Sequence, residues 1–334
     1  MVLSFLNRKW YCLGCFEEER ISLLYLKENI NFPNGISLPS WVEYETKAGC
    51  CHWEGVQCSN TTGRVIQLDL YDIRYWTLED WYFNASLFLP FQELRNLSLG
   101  YNNLVGWIEN EGFDKLSKLK SLEALDLREN SFDRNILSSL SHERLLGLKK
   151  LQVLDFSGNH GIKDIDVLSV LELNDFISLE ELDIRGNQFR SFGTIYGSVQ
   201  INELYALNDL VELDLSKNEI EKFNTSKDTK TMHSLQVLYL DGIIVSNISN
   251  MLQSLRAFPY LKNLYLRYMK IPIATIYELR HLSKLEGLFL DNSHLDANFL
   301  QSIGVMTSLK FLSLSSCGLG GTLLDQGCYC GLDI

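Results

Sequence analysis

The chain has no excess of positive charge. Its 334 residues carry 30 Lys and Arg against 42 Asp and Glu, a net charge of -12. Nucleic-acid binders need a basic face, so that class is set aside. No run approaches 18 apolar residues, so nothing in the sequence reads as a membrane span. Enzyme signatures are missing too. His142-Glu143 has no second histidine in register for H-E-x-x-H, and neither G-x-S-x-G nor a phosphate loop occurs. Cys12-Leu13-Gly14-Cys15 has C-x-x-C spacing without the strand–helix context of a redox motif. Cys328 and Cys330 lack the second ligand pair of a zinc site. Neither catalysis nor a cofactor nor a metal is expected. The first ten residues do not read as a proper leader either. In MVLSFLNRKW the apolar run is short and the basic residues follow it. Residues 1–14 therefore read as a residual leader or a disordered end.

What the sequence does have is a repeat. Leu210–Ile220, LVELDLSKNEI, reads L-x-x-L-x-L-x-x-N-x-I, the leucine-rich repeat pattern. The frame recurs ten times, beginning at Val65, Leu94, Leu122, Leu151, Leu179, Leu210, Leu235, Leu261, Leu285 and Leu309, 24 to 31 residues apart. One unit, a short strand plus a return segment, cannot bury its leucines alone, but stacked units share a continuous core. Each leucine buried there is worth roughly 1.5–3 kcal/mol. Ten strands at sheet spacing give a parallel sheet roughly 45 Å across. The return segments are bulkier, so the stack curves. The expected fold is an α/β solenoid: a curved leucine-rich repeat superhelix with a parallel sheet on its concave face. Residues 64–325 are assigned to the repeats. Helices are expected on the convex side, at Ile136–Lys150 and Val167–Ser178.

Position nine of the frame is Asn102, Asn130, Asn159, Asn187 and Asn218, which should form a ladder that satisfies backbone groups at each turn. Ile243, Met269, Ser293 and Cys317 then replace asparagine, and looser turns are expected there.

Ahead of the repeats, EEERISLLYLKEN at Glu17–Asn29 reads as an amphipathic helix. Its acidic start suits the positive helix end, its expected apolar stripe runs through Ile21, Leu23, Leu24 and Ile30, and Pro33-Asn34-Gly35 stops it. Ser40-Trp41 and CCHWEGVQC at Cys50–Cys58 follow, and Gly63-Arg64-Val65 opens the first repeat. This run resembles the N-terminal cap of plant leucine-rich repeat receptors, and most closely that of the kinase-less receptor-like proteins. The resemblance covers residues 15–325 and makes 15–63 a cap. It implies two disulfides, Cys15–Cys50 and Cys51–Cys58, and leaves Cys12, Cys317, Cys328 and Cys330 without an assigned pairing. A cap also has a physical role: it covers the first strand's open edge and leucine core. Trp41 and Trp53 are expected to be packing residues.

Eight cysteines fit an oxidising compartment. So do five N-glycosylation sequons, at Asn60, Asn84, Asn96, Asn224 and Asn247. By resemblance, family members continue into more repeats, a second cap, a membrane span and a basic tail; residues 326–334 accordingly read as a truncated end.

With no catalytic motif, function is expected on the concave strands, where positions three, five, seven and eight face outward. Position five reads Asp69, Ser98, Asp126, Asp155, Asp183, Asp214, then Tyr239, Tyr265, Phe289, Ser313. The column is acidic first and aromatic later, and exposed aromatics at strand spacing mark contact surfaces. Tyr239, Tyr265, Tyr268, Phe289 and Phe311, with Arg267 in the flanking column, form the expected ligand stripe. The aspartates themselves read as common filler of the repeat. A glycan on Asn96 would steer binding towards the C-terminal half. The resemblance implies an extracellular module for peptides or protein partners, acting in defence or development through a partner receptor kinase. A secreted polygalacturonase-inhibitor-like protein and an inactive truncated product are the alternatives.

Overall fold

The computed structural model describes residues 15–43, 49–109, 111–133, 136, 147–162, 178–187, 191–192, 209–220, 222–223, 232–295, 299–319 and 332–333. Its main element is one twelve-stranded sheet. In chain order the strands are β1 (Val56–Cys58), β2 (Val65–Asp69), β3 (Asn96–Ser98), β4 (Ala124–Asp126), β5 (Val153–Asp155) and β6 (Glu181–Asp183). Then come β7 (Glu212–Asp214), β8 (Val237–Tyr239), β9 (Asn263–Tyr265), β10 (Gly287–Phe289), β11 (Phe311–Ser313) and β12 (Leu332–Asp333). Strands β2 to β11 are the ten repeat frames, all parallel and in chain order. Register follows the leucines: Leu68, Leu97, Leu125, Leu154, Leu182, Leu213, Leu238, Leu264, Leu288 and Leu312 lie partner to partner. All ten are buried, and they belong to one continuous core. A one-residue slip would put every leucine on the solvent face, which is why register is so strictly kept.

The N-terminal end is closed as expected. Helix α1 (Glu17–Asn31) lies against the first turns, and β1 pairs antiparallel with β2. Both disulfides are present, Cys15–Cys50 and Cys51–Cys58. Trp41 and Trp53 are buried and stacked, 5.7 Å between ring centroids. Gly55 is the residue this hairpin requires: its φ is +74°, and a Cβ there would run into the carbonyl oxygen of Asp69.

Two details of the helix differ from the sequence reading. It ends at Asn31, two residues later, and its buried face is Glu19, Ser22, Leu23, Leu26 and Ile30. Ile21 is exposed and Leu24 half-buried. The cause is Glu19. In the repeats, each strand's first amides bond to a carbonyl of the preceding strand, as Glu123 and Ala124 do to Arg95. The first repeat has no preceding turn. The Glu19 carboxylate, fully buried, stands in and accepts from the amide of Val65 at 3.3 Å and from that of Phe16 at 3.3 Å. Burial raises its pKa, against those hydrogen bonds and the Arg64 charge. Rotating Glu19 inward carries Ile21 outward.

The asparagine ladder forms. Asn130 is typical: its amide group donates to the carbonyls of Leu99, Leu127 and Arg128. Its side-chain oxygen accepts from the amides of Asn102 and Leu104. Where asparagine gives out, the backbone bonds between neighbouring turns remain, as from Gly242 to Arg267 and from Leu240 to Tyr265, but the apolar side chains of Ile243 and Met269 cannot supply the ladder's bonds. The Ser293 hydroxyl donates to Leu266 and accepts from the Met269 amide, and the Cys317 thiol donates to Leu290. A short side chain at the same place reaches the same carbonyl.

On the convex side, short helices cover the C-terminal repeats, among them Ile248–Ser254, Ile273–Ile276 and Phe299–Ile303. Of the helices expected at Ile136–Lys150 and Val167–Ser178, residues 137–146 and 167–177 lie outside the described residues, and 147–150 are turn rather than helix. Residues 332–333 pair antiparallel with β11. Among the described residues no helix is long and apolar enough to cross a membrane.

Candidate functional site

On β8, β9 and β10 position five places three rings on one face, one strand apart. They close into a stack. Tyr239 and Tyr265 lie 4.2 Å apart between centroids, and Tyr265 and Phe289 4.1 Å apart with 5° between planes. Parallel in-register strands at about 4.8 Å spacing impose this face-to-face arrangement. The stack needs room, and Gly287 provides it: a Cβ there would press on Cε2 of Phe289 at 3.0 Å and on the Asn263 side chain.

The other expected stripe residues are placed differently. Phe311, at position three of β11, is 52% exposed and outside the stack, which ends because position five of β11 is Ser313. Tyr268 is 64% exposed and points from the turn after β9, with φ at +61°. Arg267 is not a free cation. Its guanidinium bonds Asp241 at 2.8 and 2.5 Å, and it lies 5.3 Å from the Tyr265 ring centroid. It braces the edge of the stack.

Towards the N-terminus the same face becomes acidic. A concave groove of about 470 Å³ is lined by Asp155, Glu181, Asp183, Glu212 and Asp214, and reaches Tyr239, Arg267 and Tyr268. Arginines bridge the aspartates only loosely: Arg128 stands 3.5 Å from Asp126 and Asp155, and Arg185 stands 3.4 and 3.6 Å from Asp183 and Asp214. Burial, with the nearby Asp214 and Asp155 charges, pushes the Asp183 carboxyl up to about 7, despite the hydrogen bond and charge of Arg185. Burial also raises Asp126, Asp214 and Glu212. Tyr239 is raised by burial first and then by Glu212, with which it shares a hydrogen bond. Acid column and aromatic stack are thus one continuous surface, joined at Glu212–Tyr239. Reading position five alone misses Glu181 and Glu212. They stand at position three, and reading that column as well would have found them.

Of the sequons, Asn60, Asn96 and Asn247 are exposed, and Asn224 lies outside the described residues. Asn84 is half-buried and caps the turn that follows, accepting from the Ser86 amide. Asn247 likewise caps Ile248–Ser254. Asn96 sits on the concave face at the far end from the stack.

Comparison with known proteins agrees with cap and repeats. The family profile of the leucine rich repeat N-terminal domain matches residues 16–59. Cuscuta receptor 1 of Solanum lycopersicum is 38% identical over 371 residues, covering 96% of this chain and 32% of that protein. Receptor like protein 21 of Arabidopsis thaliana is 35% identical over 236 residues, covering 68% of this chain and 22% of that one. The chain thus spans a third or less of the length of these curated relatives. Among solved structures, the Arabidopsis receptor kinase HAESA, in complex with the peptide hormone IDA and the co-receptor SERK1, aligns with TM-score 0.59 and 25% identity over 90% of this chain and 46% of that one. A plant ice-binding protein aligns with TM-score 0.50 and 19% identity, over 92% of this chain and 99% of that one, which speaks to fold alone.

Proposed function

We propose, from the premise that this chain is a plant leucine-rich repeat receptor-like protein over the stretch it spans, that its concave face binds an extended peptide. The observation that carries this reading is the Tyr239–Tyr265–Phe289 stack running into an under-neutralised acid groove. A stacked aromatic face grips apolar side chains and peptide planes at low entropic cost, because rings already in place have little freedom left to lose. The carboxylates beside it attract a basic residue. The ligand class is therefore a peptide with a basic residue a few positions from an apolar one. Tyr268 and Phe311 flank the stack as secondary contacts. Arg267 acts through its hold on Asp241 and Tyr265.

The protein itself does no chemistry in this reading. It works at the cell surface, and the occupied face signals, in defence or development, through a partner receptor kinase. In the HAESA complex a peptide hormone and a co-receptor are bound together. The test is a displayed random-peptide library selected on the secreted chain. Wild type should enrich peptides that pair basic and apolar residues, and the double variant Tyr265→Ala/Phe289→Ala should be secreted normally and enrich none. Equal enrichment by both proteins overturns the assignment.

A further inference from the structure

A second surface lies on the lateral edge where the strands begin, away from the stack. There the residue after each repeat's first leucine forms its own column, reading Arg95, Glu123, Gln152, Glu180 and so on to Lys262, Glu286 and Lys310. Along this edge neighbouring side chains pair in places, the Arg95 charge with Glu123 and the Gln152 amide with Glu180. At the C-terminal end the charges are uneven. A groove of about 620 Å³ gathers Lys262, Lys284 and Lys310 around a single carboxylate, Glu286. Glu286 is taken by Lys310 at 3.0 Å. Lys262 and Lys284 are exposed and have no carboxylate partner among the described residues. This excess of ammonium groups sits on a chain whose net charge is -12.

The rest of the groove narrows the ligand. One wall is Tyr260, 47% exposed and held edge-on by His233 with 5.3 Å between centroids. The remaining lining is rich in small hydroxyl side chains, Ser283, Thr307 and Ser308. Lysines are compact point charges on flexible stems and suit anions spaced along a chain better than one bidentate group. Lys262 and Lys310, two strands apart, stand roughly 10 Å apart along the edge. A half-exposed ring with a polar tip, beside hydroxyls, suits a ligand that has both C–H faces and hydroxyl groups. We propose that this lateral groove is a binding site for an acidic oligosaccharide, a short chain of uronate sugars, with Lys262 and Lys284 holding carboxylates and Tyr260 stacking on a sugar ring.

The inference does not depend on the concave-face reading. The test is binding of the secreted chain to an oligouronide, to a neutral oligosaccharide of equal length and to polyglutamate, at low and at high salt. Wild type should bind the uronide in a salt-sensitive way, bind polyglutamate more weakly and not bind the neutral sugar. Lys262→Gln/Lys284→Gln should weaken uronide binding by about tenfold or more. Tyr260→Ala should weaken the uronide but not polyglutamate. Tyr265→Ala/Phe289→Ala should leave uronide binding unchanged. These lysines are exposed, so their loss leaves the fold intact. No binding of the uronide by wild type, equal binding of uronide and polyglutamate, or indifference to the double lysine change would each overturn the proposal.

Discussion

Replacing Asn130 by Ala tests whether the position-nine side chains hold the coil together. The cost follows from the bonds lost. Asn130 donates to three carbonyls and accepts from the amides of Asn102 and Leu104, all within one buried turn. Two of those carbonyls belong to Asn130's own repeat and the third, Leu99, to the preceding one. Each buried backbone group left unpaired costs about 1–3 kcal/mol. The three carbonyls each keep a second donor, Asn102 Nδ2 for Leu99, Asn159 Nδ2 for Leu127 and the Tyr101 amide for Arg128, so the two stranded amides carry most of the expected loss of about 3–5 kcal/mol. Ser293 calibrates the scale. It occupies the same place with one donated and one accepted bond, so Ser293→Ala should cost only about 1–2 kcal/mol. A stacked-repeat chain need not unfold in one step, so the decisive readout is local. Native-state hydrogen exchange should show the amides of Asn102 and Leu104 losing protection in Asn130→Ala, and that of Met269 in Ser293→Ala. Denaturant titration of both variants gives the overall order. If Asn130→Ala costs no more than Ser293→Ala, or if those amides stay protected, the ladder is not what joins one turn to the next.

Three further outcomes are expected. Asp183, near 7 in the folded chain against 3.8 unfolded, keeps its proton on folding between those values. Its contribution is therefore fully present below about pH 4 and lost as pH rises towards 7, by about 4 kcal/mol at most and about half that after relaxation. Asp183→Asn should then be more stable than wild type at pH 8 and gain little at pH 4; a gap in melting temperature that does not widen with pH refutes this. Gly287→Ala should displace the Phe289 ring and change the near-ultraviolet dichroism of the stack, at about 1 kcal/mol or less in stability, because no core leucine moves. An unchanged spectrum would show that the glycine is not what makes room. Peptide mapping after glycosidase treatment should find Asn96 modified in secreted protein; an unmodified Asn96 removes the argument that a glycan steers ligands towards β8–β10.

Much of the molecule was legible because its period is local. The frame L-x-x-L-x-L-x-x-N names its own inward positions, and stacking like units puts like positions side by side. Ten frames became ten parallel strands, Leu68 to Leu312 met in one file, and Tyr239, Tyr265 and Phe289 fell into contact. The cap cysteines paired as the resemblance implied. Errors arose where the periodic rule meets a boundary. Ile21 was assigned inward by helical spacing, but the unpaired Val65 amide claims Glu19 and turns the helix. Phe311, expected beside the aromatic column, stands two positions off it and outside the stacked rings.

The sequence by itself determined the coil, its register, its closed N-terminal end and the columns on its faces, since each follows from repeating one short pattern. Only the tertiary structure decided how charges on neighbouring turns divide. Arg267 closes on Asp241, the acid groove is left short of cations, and Lys262 and Lys284 have no carboxylate partner among the described residues. The reason is physical: a backbone repeat dictates which residues are neighbours, whereas the partner a long charged side chain takes depends on burial and distance among several candidates at once.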